Sequence, residues 1–358
     1  MRIWFAAGIP KDSKGGVNMV MHAFSKNLKA CGHDCRIIYS KRFSNYLLFA
    51  IRLLFLFIFA HKKPDFIIAR STDGFLCALF KRLLLLKTKV ILHSHGWEEK
   101  AYEIEKKQKY FPYFPKSSLK AILFRFNLLK FTLYLSDFCL CGTLEEARWI
   151  KTKYKKYSKK IVCIPNGVYI KDLFIREWRN FQPLKFISVG SLTWKKNIIY
   201  TINIFHFIKI SRENAELHLI GCSYDNLIHF IDERLLKGIK AISFKLPEDM
   251  QKEYRECPYF ISSSSYEGGR SLAILEAMAN SCIVFVSPIP SSLEFIKNEE
   301  NGIVLSLTDP AEDAEKILKV IDSPDLCEKI SKKAYSFTLR HSWLRQSLRF
   351  ERLLCSKF

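Results

Sequence analysis

The sequence predicts an α/β protein built from two doubly wound, Rossmann-like domains. Three observations carry that expectation. The chain has 358 residues, about two domains' worth, and is 49% apolar, enough for two sizeable cores. Short apolar strands alternate with helical stretches, the pattern of a parallel sheet covered by helices. The alternation stops at the polar stretch 171–183 and then begins again. The expected boundaries are therefore 1–170 for an N-terminal domain, 171–183 for a linker, 184–335 for a C-terminal domain and 336–358 for a last helix. Two such sheets in series leave a cleft between them.

Charge is spread unevenly over these parts. Of the net +22, residues 1–168 hold 31 Lys and Arg against 11 Asp and Glu, a net +20, which leaves +2 for the rest. Such asymmetry points the N-terminal half at a polyanion or an anionic membrane surface. A merely well-solvated basic surface is the plainer alternative. The eleven cysteines sit mainly in apolar contexts such as Cys139-Leu-Cys141, and none has the Cys-x-x-Cys spacing of a zinc site. Buried free thiols in a reducing cytoplasm are expected, with no disulfide and no metal. Met1-Arg-Ile-Trp-Phe begins directly as a strand and lacks the length of a signal peptide, which favours a cytoplasmic location.

In the first half, a strand over 2–8 leads through a loop to Gly15-Gly16. Val17, Val20, Met21, Phe24, Leu28 and Cys31 then recur at helical spacing. The glycine pair thus lies at a helix N-terminus, where free N–H groups and the helix dipole meet and a substrate oxygen can approach closely. A purely geometric turn is the alternative. Further strands are expected at 35–39, 66–69, 90–93, 138–141 and 161–164. The stretch 46–60 is apolar all round, flanked by Lys41-Arg42 and Lys62-Lys63, and shorter than the roughly 20 residues that span a bilayer. Two readings remain for it, a helix buried in the protein or one sunk into a membrane interface with its basic flanks on headgroups. Residues 119–135, with Lys120, Arg125 and Lys130 among Phe and Leu, repeat the theme, as do residues 80–87. Together with the charge they favour a membrane surface over nucleic acid. His95-Gly96 follows the strand at 90–93, and open α/β sheets bind ligands at strand carboxyl ends.

In the second half, the strand from Leu184 ends at Gly190. Lys195 and Lys196 follow in the loop before the next helix, placed as point charges for a diphosphate. Strands over 217–221 and 241–244 come next. Residues 259–287 then read as a strand, a loop with Glu267 and the pair Gly268-Gly269, a helix with Glu276 in its first turns, and another strand. That is a βαβ unit suited to an anionic or polyhydroxylated ligand.

These elements, in this order, carry a resemblance to the retaining GT-B glycosyltransferases of family 4. It rests on the Gly15-Gly16 loop, His95-Gly96, Pro165-Asn166-Gly167-Val168, the stretch from Val189-Gly190 to Lys196, Glu267 through Leu275-Glu276-Ala277-Met278-Ala279, Asn301-Gly302 and His341-Ser342-Trp343. The resemblance implies the GT-B fold, with a last helix that crosses back to the N-terminal domain. It implies a nucleotide-sugar in the C-terminal domain and a saccharide acceptor in the N-terminal one; these residues do not specify the base, and UDP is preferred to GDP. On that basis His95 and Glu267 stand at the reacting sugar, and Glu276 holds the ribose. Gly15, Gly16, Ser191, Lys195, Lys196, Arg270, Ser271 and Leu272 complete the donor site. No cofactor and no metal are implied, since the nucleotide-sugar is a co-substrate. Two departures stand out. Eight residues separate Glu267 from Glu276 where the family usually has seven, and Ser191 stands where a diphosphate-binding arginine is common. Arg270, inside the longer loop, is the expected substitute charge.

The expected function is transfer of a sugar to a saccharide, lipid-linked on the charge argument, in bacterial surface polysaccharide or lipopolysaccharide assembly at the inner face of the membrane. A catalytically impaired relative and a basic nucleic-acid-binding protein are the alternatives. Against the second, no nucleic-acid-binding motif is present. A Rossmann oxidoreductase would need a Gly-x-Gly-x-x-Gly turn, which the first βα turn lacks.

Overall fold

The computed structural model describes residues 1–13, 15–41, 45–107, 119–170, 174–180 and 182–356. It divides into two compact units, Met1–Asn166 with Trp343–Phe358, and Gly167–Ser342.

The first unit runs β1 (Arg2–Ala7), α1 (Gly16–Ala30), β2 (Asp34–Tyr39), α2 (Tyr46–Ile58), β3 (Phe66–Arg70), α3 (Phe75–Leu83), β4 (Lys89–His93), α4 (Glu98–Lys107), α5 (Leu119–Leu135), β5 (Phe138–Cys141), α6 (Leu144–Lys153) and β6 (Ile161–Cys163). Its six strands are parallel in the order β2-β1-β3-β4-β5-β6. The order reverses between β1 and β3, which makes that point the natural ligand crevice of this sheet. Strands covered on both faces need apolar side chains throughout, and Ile3, Phe5, Ile67, Ile68, Ile91 and Leu140 are all buried.

The second unit runs β7 (Lys185–Val189), α7 (Ile198–Ser211), β8 (Glu216–Ile220), α8 (Tyr224–Ile228), β9 (Ile239–Ile242), α9 (Pro247–Glu256), β10 (Tyr259–Ser262), α10 (Leu272–Ala279), β11 (Ile283–Val286), α11 (Pro290–Leu293), β12 (Ile303–Val304), α12 (Pro310–Ile321) and α13 (Pro324–Arg340). Its strand order, β12-β11-β10-β7-β8-β9, reverses between β7 and β10. Phe186, Phe205, Tyr259, Phe285 and Ile317 fill one side of this sheet; Phe260, Leu275, Met278 and Phe295 fill the other. Each such side chain withdrawn from water contributes about 1.5–3 kcal/mol.

Several boundaries differ from the sequence reading. The expected strand at 241–244 lies two residues earlier, because Leu217 to Ile220 pair in register with Ile239 to Ile242. The division between the units falls at Asn166 and Gly167, ahead of the expected linker. Within that linker, residues 171–173 and 181 lie outside the described residues. Trp178 is no linker residue: it is 3% exposed in the core of the second unit, and its indole N–H donates to Ser331 Oγ at 2.7 Å. Residues 336–340, assigned above to the last helix, continue α13, and the returning helix is α14 (Trp343–Cys355). This helix packs on α1 within the first unit, with Phe24 edge-on to Trp343 and Phe350 at 5.3 and 5.1 Å.

The apolar stretch at 46–60 is buried along one face and exposed along the other. Phe49, Leu53 and Phe57 are buried against the sheet, while Leu47, Leu48, Ile51, Phe55 and Phe59 are exposed, Phe59 to 76%. Among the described residues no helix is long and apolar enough to cross a membrane.

Candidate functional site

In the second unit, the residues expected at the donor site gather where the strand order reverses. β7 is followed by Gly190, where an added Cβ would lie 3.0–3.2 Å from the Lys196 stem. The absent side chain lets that stem lie over the strand end. Lys196 Nζ reaches Glu267 Oε1 at 2.5 Å, and Ser264 Oγ donates to the same oxygen at 2.9 Å. The two loops are also tied through their backbones, since the N–H groups of Ser265 and Tyr266 donate to the Lys195 carbonyl. The Lys195 ammonium lies 5.7 Å from the Trp194 ring and 5.5 Å from that of Tyr266, which stack on each other. Ser191 is exposed beside them. A cationic rim with one carboxylate therefore faces outward at the end of the sheet.

Helix α10 starts immediately after Ser271, with Leu272 as its first residue. Glu276 follows on the next turn. The Tyr254 hydroxyl donates to Glu276 Oε2 at 3.1 Å. Loss of water pushes this carboxyl up to about 7 despite that bond, although part of the residue reaches the surface. Sequence reading missed Tyr254 and Ser264 as partners of the two glutamates. The serine run 262–265 was the available signal for Ser264; Tyr254, on another helix, gave none.

Arg270, the expected substitute charge, is largely buried in the loop before α10. The residue is 8% exposed, and its guanidinium lies 5.6 Å from the rings of both Phe295 and Phe337. These surroundings suit a side chain that holds the loop to the body of the unit.

The remaining expected residues belong to the first unit. Gly15 caps α1 in an extended conformation, and an added Cβ would meet nothing nearer than Ser13 Oγ at 3.9 Å. Neither backbone strain nor packing demands glycine there. His95 follows β4, its ring 4.1 Å from that of His93. Burial pushes His93 down to about 3 and His95 well below its ordinary value, so both rings are neutral near pH 7. His95 Nε2 is buried and has no hydrogen-bond partner among the described residues.

Two carboxylates beside this strand end escaped sequence reading. Asp73, 6% exposed, accepts the Gly8 N–H at 2.7 Å where the strand order reverses between β1 and β3. Burial pushes its carboxyl up to about 6 against the pull of Arg70, whose charge also acts on His95. Glu146, in the first turn of α6, reaches the loop that carries His95. The dipeptide Asp73-Gly74 after a strand was a usable signal for the first. Nothing near Glu146 in the chain marked the second.

The arrangement can hold a phosphorylated, hydroxyl-bearing ligand at the second sheet, with cations for phosphate and carboxylates for hydroxyls. Comparison with known proteins agrees with it. The family model described as Glycosyl transferases group 1 matches residues 172–337, and that described as Glycosyltransferase Family 4 matches residues 14–172. An uncharacterized glycosyltransferase of Methanocaldococcus jannaschii is 24% identical over 229 residues, 64% of this chain and 61% of its own length. The chain thus spans less than two thirds of that relative. Among solved structures, sucrose-phosphate synthase from Thermosynechococcus elongatus superposes with a TM-score of 0.81 at 14% identity, covering 100% of this chain and 99% of its own. The Anabaena protein HepE in complex with UDP-glucose gives 0.73 at 12% identity, over 99% and 100%.

Proposed function

The chain belongs to the group 1 glycosyltransferases of the GT-B fold, and we propose that it moves a sugar, with retention, from a nucleotide-sugar to a saccharide acceptor. The observation that carries this reading is the group Gly190, Lys196, Glu267 and Glu276 at the reversal point of the second sheet. In it Lys196 takes the diphosphate, with Lys195 and the N–H groups at Ser271 and Leu272 in support. Glu276 accepts from the ribose hydroxyls, and Glu267 from hydroxyls of the transferred sugar. Gly15 and Gly16 leave room for substrate oxygens, and His95 stands beside the sugar. The anomeric C–O bond to the diphosphate breaks as the bond to the acceptor oxygen forms, and the acceptor proton passes to the leaving phosphate. Stabilisation of that leaving group falls to fixed cations and N–H dipoles. The reading calls for no cofactor and assigns no metal. UDP is the favoured nucleotide, in keeping with the UDP-glucose complex of the structural neighbour HepE.

The acceptor is proposed to be lipid-linked, at the inner face of a bacterial membrane, in surface polysaccharide assembly. Supporting this are the exposed apolar face of α2, Leu83, Leu84 and Leu85 at the end of α3, with Leu85 exposed to 89%, and Leu123 and Phe124 of α5. The helices pack in the order α2, α3, α5, and the net +20 lies in the same half of the chain. Apolar side chains ringed by Lys and Arg suit an anionic lipid surface.

A panel of UDP- and GDP-sugars tests the function through thermal stabilisation and nucleotide release. Stabilisation and turnover by a UDP-sugar are expected. Stabilisation without turnover, with any saccharide acceptor, would identify an impaired binding protein instead. No response to any nucleotide-sugar would overturn the reading.

A further inference from the structure

We propose that Glu146 is a positioning residue, which fixes the loop carrying His95 by accepting hydrogen bonds from both of its flanks at one carboxylate oxygen. The inference rests on the reading that His95 stands at the reacting sugar. Ser94 Oγ donates to Glu146 Oε1 at 3.0 Å and the Trp97 N–H donates to the same atom at 2.6 Å. His95 and Gly96 are the only residues between these anchors. Gly96 has φ +110°, a left-handed conformation that turns the chain back toward the carboxylate. On its outer side the loop is pinned by Trp97, buried against Leu92, Leu129 and Ile150. On its inner side the Ser94 N–H donates to the Leu140 carbonyl of β5.

Glu146 is itself held from below. It lies in the first turn of α6, its N–H donates to the capping Thr143 Oγ1 at 3.2 Å, and it is 2% exposed. A buried carboxylate is costly unless its bonds repay the loss of water. Here both accepted bonds go to the loop, and Oε2 has no hydrogen-bond partner among the described residues. A residue serving only α6 would spend its side chain on that helix's own N–H groups. This one is spent on another strand's loop, 49 and 52 positions away in sequence.

Hydrogen exchange at the Trp97 amide in the full chain tests the clamp without any ligand. Glu146→Ala is expected to speed that exchange by about tenfold, while Glu146→Gln, which keeps an acceptor at Oε1, stays close to wild type. With UDP-glucose as probe, Glu146→Ala is expected to lower kcat for nucleotide release at unchanged KM, and Glu146→Gln to restore it. Unchanged Trp97 exchange in Glu146→Ala would overturn the proposal. So would faster exchange with unchanged kcat, which leaves the proposed transfer intact. Should the alanine variant not fold, Ser94→Ala removes one of the two bonds, and a shift of the His95 ring ¹⁵N resonances is expected; their constancy would overturn the clamp. A wild-type chain inert to every nucleotide-sugar would instead overturn the proposed function, and the exchange measurement would still decide the clamp.

Discussion

Lys196 and Glu267 are ion-paired across the reversal point of the second sheet, with Nζ 2.5 Å from Oε1. The two residues expected to touch different parts of a donor thus hold each other in the free chain. A bound diphosphate must compete with the carboxylate for the ammonium.

The variants of this pair are therefore expected to behave oppositely toward UDP. Lys196→Ala removes a charge-assisted contact and should weaken UDP about 10- to 100-fold by calorimetry. Glu267→Gln releases the ammonium, so UDP affinity should hold or rise while turnover of the UDP-sugar falls. Equal losses of UDP affinity in both variants would argue against the roles assigned.

With Glu276 on the ribose as proposed, donor binding is expected to depend on pH. Its carboxyl is pushed up to about 7 by burial, and ribose hydroxyls would donate to its ionised form. Below that value a proton must leave before the bonds form, which costs up to about 1.4 kcal/mol per pH unit. UDP affinity is expected to rise between pH 6 and 8 and to level off above. Glu276→Gln should bind more weakly and lose the slope.

Stability responds to pH through groups that oppose one another. Burial raises Asp73 to about 6 and Glu146 and Glu276 to about 7, so the folded chain keeps protons that the unfolded chain has lost. The stability tied to these carboxyls is present in acid and lost as pH rises through about 6 to 7. His93 and His95 are depressed, so the unfolded chain takes up their protons first, and their contribution is lost as pH falls below about 6.5. Glu146→Gln should therefore raise the free energy of unfolding at pH 8 by on the order of 2–3 kcal/mol, and change it little at pH 5.

Arg270→Ala is expected to act on stability first. Its guanidinium covers Phe295 and Phe337, and losing two such contacts should cost about 1–3 kcal/mol. UDP affinity measured well below the transition should change little. A large loss of affinity with unchanged stability would restore Arg270 to the diphosphate.

The apolar face of α2 gives a separate test. Phe55→Asp with Phe59→Asp should abolish flotation with anionic vesicles and leave thermal stability nearly unchanged, since both side chains are already exposed. Flotation equal to wild type would turn attention to a soluble acceptor.

Much of the fold was legible because its signals are local. Strand and helix periods, the glycine at the end of β7 and the lysines after it are all read within a dozen residues. The partnerships were not. Gly8 meets Asp73 65 positions away, Tyr254 meets Glu276 from another helix, and Glu146 reaches back to residues 94 and 97. Each depends on strand order, which periodicity does not encode. The break between α13 and α14 was missed for a related reason. The chain reads as continuous helix-forming residues there, while a backbone contact from Val168 to the His341 carbonyl marks the turn. For Arg270 the charge was visible in the sequence and the two rings beneath it were not.

The glycines beside Lys196 form a stack whose dimensions determine how far that ammonium extends. Gly221, at φ +106°, lies so close to the Gly190 carbonyl that an added Cβ would sit 2.6 Å from its oxygen, and Gly190 in turn supports the Lys196 stem. A single methyl at 221, just past the end of β8, would press on the Gly190 carbonyl and be felt two layers away in the reach of the Lys196 ammonium. If Lys196 takes the diphosphate as proposed, a substitution at 221 is expected to alter donor affinity through this packing.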